Sequence, residues 1–116
     1  MTETQKKPYD LEERTFMFAK HAIRYFKELP RSVSSIEIAK QGIRSSGSVG
    51  ANFIEANEAL SRKDFLMRVK ICRKEAKETI YWLKLSEPAT EKERTVLLQE
   101  ASELMKIFGA IIEKSK

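Results

Sequence analysis

The chain of 116 residues holds one cysteine, one histidine, three prolines and four glycines. A lone Cys72 excludes an internal disulfide framework and any cysteine-cluster metal site. A lone His21 excludes a multi-histidine metal centre within one chain. The longest stretch without a charge, Ser45 to Ile54, is ten residues, about half of the ~20 that a membrane-spanning helix requires. The N-terminal run MTETQKKPYDLEER lacks the apolar core of a secretory signal. These absences predict a cytoplasmic protein with no membrane contact. Two cores of ordinary size would not fit the length, so one domain is expected. What is present, 41% apolar and 34% charged residues, describes a foldable chain. The formal net charge of +5 permits contact with phosphate without demanding it.

Pro8, Pro30 and Pro88 fall where helical patterning is absent or stops, because proline is excluded from helix interiors. Between them four segments repeat with helical periodicity, and none alternates with period two. The expected organisation is a flexible N-terminal segment over 1–10, then helices over about 11–29, 35–59, 62–86 and 91–114. In the first helix Leu11, Thr15, Phe18, Ala22, Tyr25 and Leu29 form one stripe, with Phe16, Ala19, Ile23 and Phe26 beside it. The second can be capped by Ser34 or Ser35. The third starts after Ser61, with Asp64 in a capping-box variant, and carries Phe65, Val69, Cys72, Ala76, Thr79 and Leu83 in a 4-3-4-3-4 stripe. Cys72 in that stripe reads as a small buried thiol rather than a nucleophile. The fourth is expected to begin after Thr90, paired with Glu93 in a capping box, and to bury Leu97, Ala101, Leu104, Phe108 and Ile111. Spacing that alternates between three and four is the repeat of left-handed bundles. The fold class is therefore all-α: an antiparallel, up-down-up-down, left-handed four-helix bundle, elongated along helices of roughly 28–38 Å.

Residues 42–52, GIRSSGSVGAN, put three glycines inside the second helix, and each costs about 1 kcal/mol relative to alanine. One reading is a phosphate-cradling turn, but no strand precedes it and no Lys-Ser/Thr pair follows Gly50. The other is an unbroken helix whose small residues admit a neighbour. Ile43, Gly47, Gly50 and Ile54 then share a face against another helix of the same chain or of a second subunit. Beside it Arg44, Ser48, Asn52 and Glu55 form a polar stripe. If buried, Asn52 and Glu55 need partners, since an unpaired buried carboxylate is costly.

The third helix holds the electrostatic signal. Residues 62–84 carry eight basic side chains against Asp64, Glu75 and Glu78. Lys63, Met67, Lys70, Lys74, Lys77, Tyr81 and Lys84 follow one 4-3-4-3-4-3 line, lysines with an aromatic on one face, as a phosphate-tracking surface would use. The plain alternative is a solvated coat of lysines. Glu75 and Glu78 could form an acid pair or an interhelical salt bridge with arginines such as Arg44 or Arg73. Of the neighbours Tyr81 and Trp82, one should face the core and the other outward. No Ser-His-Asp or Cys-His set can be assembled, and no metal, cofactor or catalytic residue is expected.

RSSGSVGAN (44–52), Glu55-Ala56, LSRKDF (60–65) and KEAKETIYWL (74–83) resemble the bacterial four-helix-bundle family of 23S rRNA-intervening-sequence proteins. The resemblance extends over the first helix and the tail LLQEASELMKIFGAIIEKSK. It implies an antiparallel bundle that closes into a ring of five subunits. It also implies kinship with the accessory variability determinant proteins of diversity-generating retroelements, which bind nucleic acid and a reverse transcriptase. Asn52, Glu55, Glu78, Tyr81 and Trp82 match the family pattern, with structural or subunit-interface roles. Glu58 departs from the small or basic residues that relatives often carry in that turn. The expected function is a non-enzymatic homo-oligomer that contacts RNA or DNA through Lys63, Lys70, Lys74, Lys77, Lys84 and Tyr81, alongside a nucleic-acid-processing protein. Its interface or structural motif would be Gly47, Gly50, Asn52, Glu55, Glu78 and Trp82. The alternative is a protein-interaction scaffold without nucleic-acid contact.

Overall fold

Helical periodicity dominates the sequence, and a computed structural model, which describes residues 10–116, places that chain in four helices. They are α1 (Leu11–Lys27), α2 (Val33–Asn57), α3 (Arg62–Leu85) and α4 (Lys92–Lys114). The flexible segment expected over 1–10 lies outside the described residues, apart from Asp10. That residue caps α1 by accepting a hydrogen bond from the Glu13 amide.

Helix starts follow local chemistry, with two corrections. α2 begins earlier than expected: Ser32, extended at φ −164°, ψ 168°, is the cap, and it exchanges hydrogen bonds with Ser35 in a capping box. Ser61 caps α3 by accepting from the Asp64 amide at 3.0 Å, as expected. The Thr90–Glu93 box at α4 does not form. Glu91 occupies the cap position without a side-chain capping bond; its carboxylate accepts from Arg94 instead, while Glu93 is engaged by His21.

Leu11, Thr15, Phe18, Ala22, Tyr25 and Leu29 are all buried, so the α1 stripe is the core face; Phe16 from the adjacent stripe is exposed instead. Val69, Cys72, Ala76, Thr79 and Leu83 supply α3, and Leu97, Ala101, Leu104 and Phe108 supply α4, which ends on Ile112 rather than Ile111. Among the described residues α1 packs on α2, α2 on α3, α3 on α4 and α4 on α1. The core sits between them as one cluster.

α2 is one unbroken helix through residues 42–52. Its buried face, however, is Gly42, Ser45, Ser46, Val49, Phe53 and Ala56, not the expected Ile43-Gly47-Gly50-Ile54. A methyl group at Gly42 would lie 2.2 Å from Phe26 Cζ, and one at Gly50 3.0 Å from Thr15 Oγ1, whereas one at Gly47 meets nothing within 4 Å. Gly42 and Gly50 therefore let α1 approach, and Gly47 does not. The α1–α4 seam is bridged by charge: Arg14 Nε donates to Glu100 at 2.7 Å and its Nη2 to Glu103 at 2.7 Å. The Glu100 bond raises the Arg14 pKa above the ordinary guanidinium value, against the opposing effect of burial. The molecule extends 44 × 36 × 20 Å, longest in one direction, as expected of an elongated bundle, and flattened in another.

Candidate nucleic-acid interface

Polar residues on α2 face α3 and decide how α3 is oriented. Arg44 Nη2 donates to Glu75 Oε1 at 3.1 Å and to Glu78 Oε1 at 2.9 Å. Of the two arginines suggested for these acids, Arg44 makes the bridge. Glu75 is only 6% exposed, so the guanidinium supplies the counter-charge that a buried carboxylate needs. One helical turn deeper, Thr79 Oγ1 donates to the Glu75 carbonyl at 2.9 Å, which leaves Ser45 Oγ to donate to Thr79 Oγ1 at 2.7 Å. At the other end of the seam Arg68 donates to Asn52 Oδ1 at 2.9 Å, while Asn52 Nδ2 donates to the Ser48 carbonyl. Asn52 is thus a partnered, half-buried link between helices, and Glu55 on the same stripe is exposed.

This seam sorts the charges of α3. Beyond the first turn its acids, Glu75 and Glu78, turn toward α2 and are paired. Lys63, Lys70, Lys74, Lys77 and Lys84 all remain exposed on a line turned away from the buried stripe of α3. Among the described residues only Lys74 of these five comes within ion-pair distance of a carboxylate, Glu75 at 4.0 Å. Tyr81 stands on that line, 57% exposed, and Trp82 is half-buried against the core. The two rings meet edge to face, with centroids 5.0 Å apart and planes at 74°. The Trp82 indole N–H donates to Glu78 Oε2 at 3.4 Å. The structure thus places the five lysines and Tyr81 on one surface. Asn52, Glu78 and Trp82 lie on the α2–α3 seam, while Gly47 and Glu55 lie outside the buried face and Gly50 lies against α1.

Other chemistry is sparse. Cys72 is fully buried, and burial pushes its thiol from the usual 9.0 up to about 12, so it stays protonated at neutral pH. Among the described residues no three His, Cys, Asp or Glu side chains are grouped to hold a metal ion. A shallow cavity of about 190 Å³ at the α1–α4 end is lined by His21, Tyr25, Pro88 and Glu93 among others. The Tyr25 hydroxyl there bonds Ser86 Oγ at 2.7 Å; burial raises the Tyr25 pKa, and the Ser86 bond opposes that rise. Gly42 and Arg68 were missed by sequence reasoning. Gly42, Ser46 and Gly50 recur every fourth position, a signal for one close-packed face. Arg68 carried no signal beyond its charge.

Among the described residues the helices define an all-α, four-helix protein whose third helix carries an exposed line of lysines. More particularly, the chain belongs to the 23S rRNA-intervening sequence protein family, whose model matches residues 8–110. It is similar to a solved structure, a protein with unknown function from the S23 ribosomal protein family of Bacteroides thetaiotaomicron. The two are 33% identical over 87% of this chain and 96% of that one, with a TM-score of 0.77. No curated protein matches it. Among the described residues no helix is long and apolar enough to cross a membrane.

Proposed function

We propose that the chain is a non-enzymatic, homo-oligomeric accessory protein of the cytoplasm that binds nucleic acid through the lysine face of α3. A nucleic-acid-processing protein is the expected companion, by analogy with the accessory variability determinants. One observation carries the reading: α3 pairs Glu75 and Glu78 with Arg44 and leaves its lysines exposed on a separate line turned away from the core. Positive potential is therefore not cancelled on the helix that bears it. The family's description refers to ribosomal RNA, which is in keeping with such a ligand.

The proposal includes an antiparallel, left-handed, up-down-up-down arrangement. Phe26 lies by Gly42 and Thr15 by Gly50, while Ser45 meets Thr79 and Asn52 meets Arg68. Early residues of one helix thus face late residues of the next. The 3-4 spacing of the stripes favours the left-handed twist. For the assembly, expected as a ring of five, the supporting feature is Gly47, whose surroundings within the chain are open.

Binding of an unstructured, labelled RNA should weaken steeply with salt. The combined changes Lys70→Glu, Lys74→Glu and Lys77→Glu should lower affinity and reduce the salt slope by about 2, at ~0.7 per single-strand phosphate contact. Salt-insensitive binding, or binding untouched by the triple change, would overturn the proposal.

A further inference from the structure

We infer that the ligand of this face is a single-stranded nucleic acid, with Tyr81 as the platform on which one unstacked base lies. The inference rests on the lysine-face reading above and names its ligand class. Tyr81 follows Lys77 by four residues and precedes Lys84 by three, roughly 6 and 4.5 Å of axial rise at 1.5 Å per residue. Tyr81 is 57% exposed between those cations, and Met67 on the same line is 51% exposed. A duplex would offer this surface phosphates while keeping its base faces stacked inside, so the phenol ring would meet no apolar partner. A single strand offers both, phosphates to the lysines and a free π-face to the ring.

The ring is also held in place. Arg44 bonds Glu78, Glu78 accepts from the Trp82 indole N–H, and Trp82 meets Tyr81 edge to face at 5.0 Å. The platform is thereby braced from the α2 side before any ligand arrives, which lowers the ordering cost of stacking.

The test compares labelled oligouridylate, oligothymidylate and an RNA duplex, each of about 16 nucleotides, the upper end of single-strand site sizes. Wild-type protein should prefer the single strands, and the stronger of the two identifies RNA or DNA as the source. Tyr81→Ala should weaken single-strand binding about 5- to 150-fold, with the salt slope and duplex binding unchanged. Tyr81→Phe keeps the ring and should keep the affinity, which separates lost stacking from lost folding. A wild-type preference for duplex overturns the inference, as does single-strand affinity unchanged in Tyr81→Ala or an equal loss on both ligands. If the triple lysine reversal leaves binding unchanged, the lysine-face reading falls. If that reversal acts and Tyr81→Ala does not, only the single-strand inference falls.

Discussion

Gly42, Gly47 and Gly50 share one helix and one propensity penalty, yet they have three different surroundings. At Gly42 an added methyl runs into a Phe26 ring that is 1% exposed and has nowhere to move. At Gly50 it needs a few tenths of an ångström from Thr15. At Gly47 it meets nothing in the chain. Gly42→Ala should therefore destabilise the protein by about 1–3 kcal/mol in urea unfolding. Gly47→Ala should stabilise it by up to about 1 kcal/mol through helix propensity. Equal effects of the two changes would contradict the packing. The sequence already contained both candidate faces, since Ile43-Gly47-Gly50-Ile54 and Gly42-Ser46-Gly50 each have helical spacing. What separates them is Val49, Phe53 and Ala56, which continue the second face into the core. Apolar residues at both ends of the first face obscured that continuity.

At the scale of the helix, α3 was legible because its buried stripe and its lysine line each keep a 3-4 rhythm. The partner of its acids was harder to read. Helical spacing fixes which side Glu75 and Glu78 occupy, but it does not say which neighbouring helix lies there. Arg44 supplies the answer, and it holds a carboxylate that is nearly out of solvent. Arg44→Ala should cost about 1–3 kcal/mol by leaving Glu75 short of a partner. Glu75→Gln added to that variant should recover part of the loss, as thermal melts of the two singles and the double would register. Strictly additive losses would mean the pair is not coupled. The missed start of α4 has a similar cause. Local spacing in TEKE promised a reciprocal cap, but Glu93 is taken by a tertiary partner, His21, that a local pattern does not contain, and Glu91 instead pairs along its own helix with Arg94.

For the whole molecule, the fold class could be read from period and punctuation, and the open question is assembly. Gly47→Leu is the clean probe, because it adds bulk where the chain itself leaves room. Size-exclusion chromatography with light scattering should show an oligomer for the wild type and a smaller, still helical species for the variant. A wild-type monomer at micromolar concentration would remove the ring. A second whole-molecule property follows from where the polar links gather. At one pole Tyr25 joins Ser86, while Arg94 donates to the carbonyls of Leu83, Lys84 and Ser86, tying the end of α1 and the start of α4 to the last turn of α3. At the other pole the outermost ties are an exposed Asn57–Glu12 bond and a 3.5 Å contact from Arg62 to the Ser115 carbonyl, with the Arg14 bridges to Glu100 and Glu103 and the Arg68–Asn52 link lying further in. Fraying in the native state should accordingly begin where α2 hands over to α3, and the clasped pole should be the last to exchange its amide hydrogens with solvent.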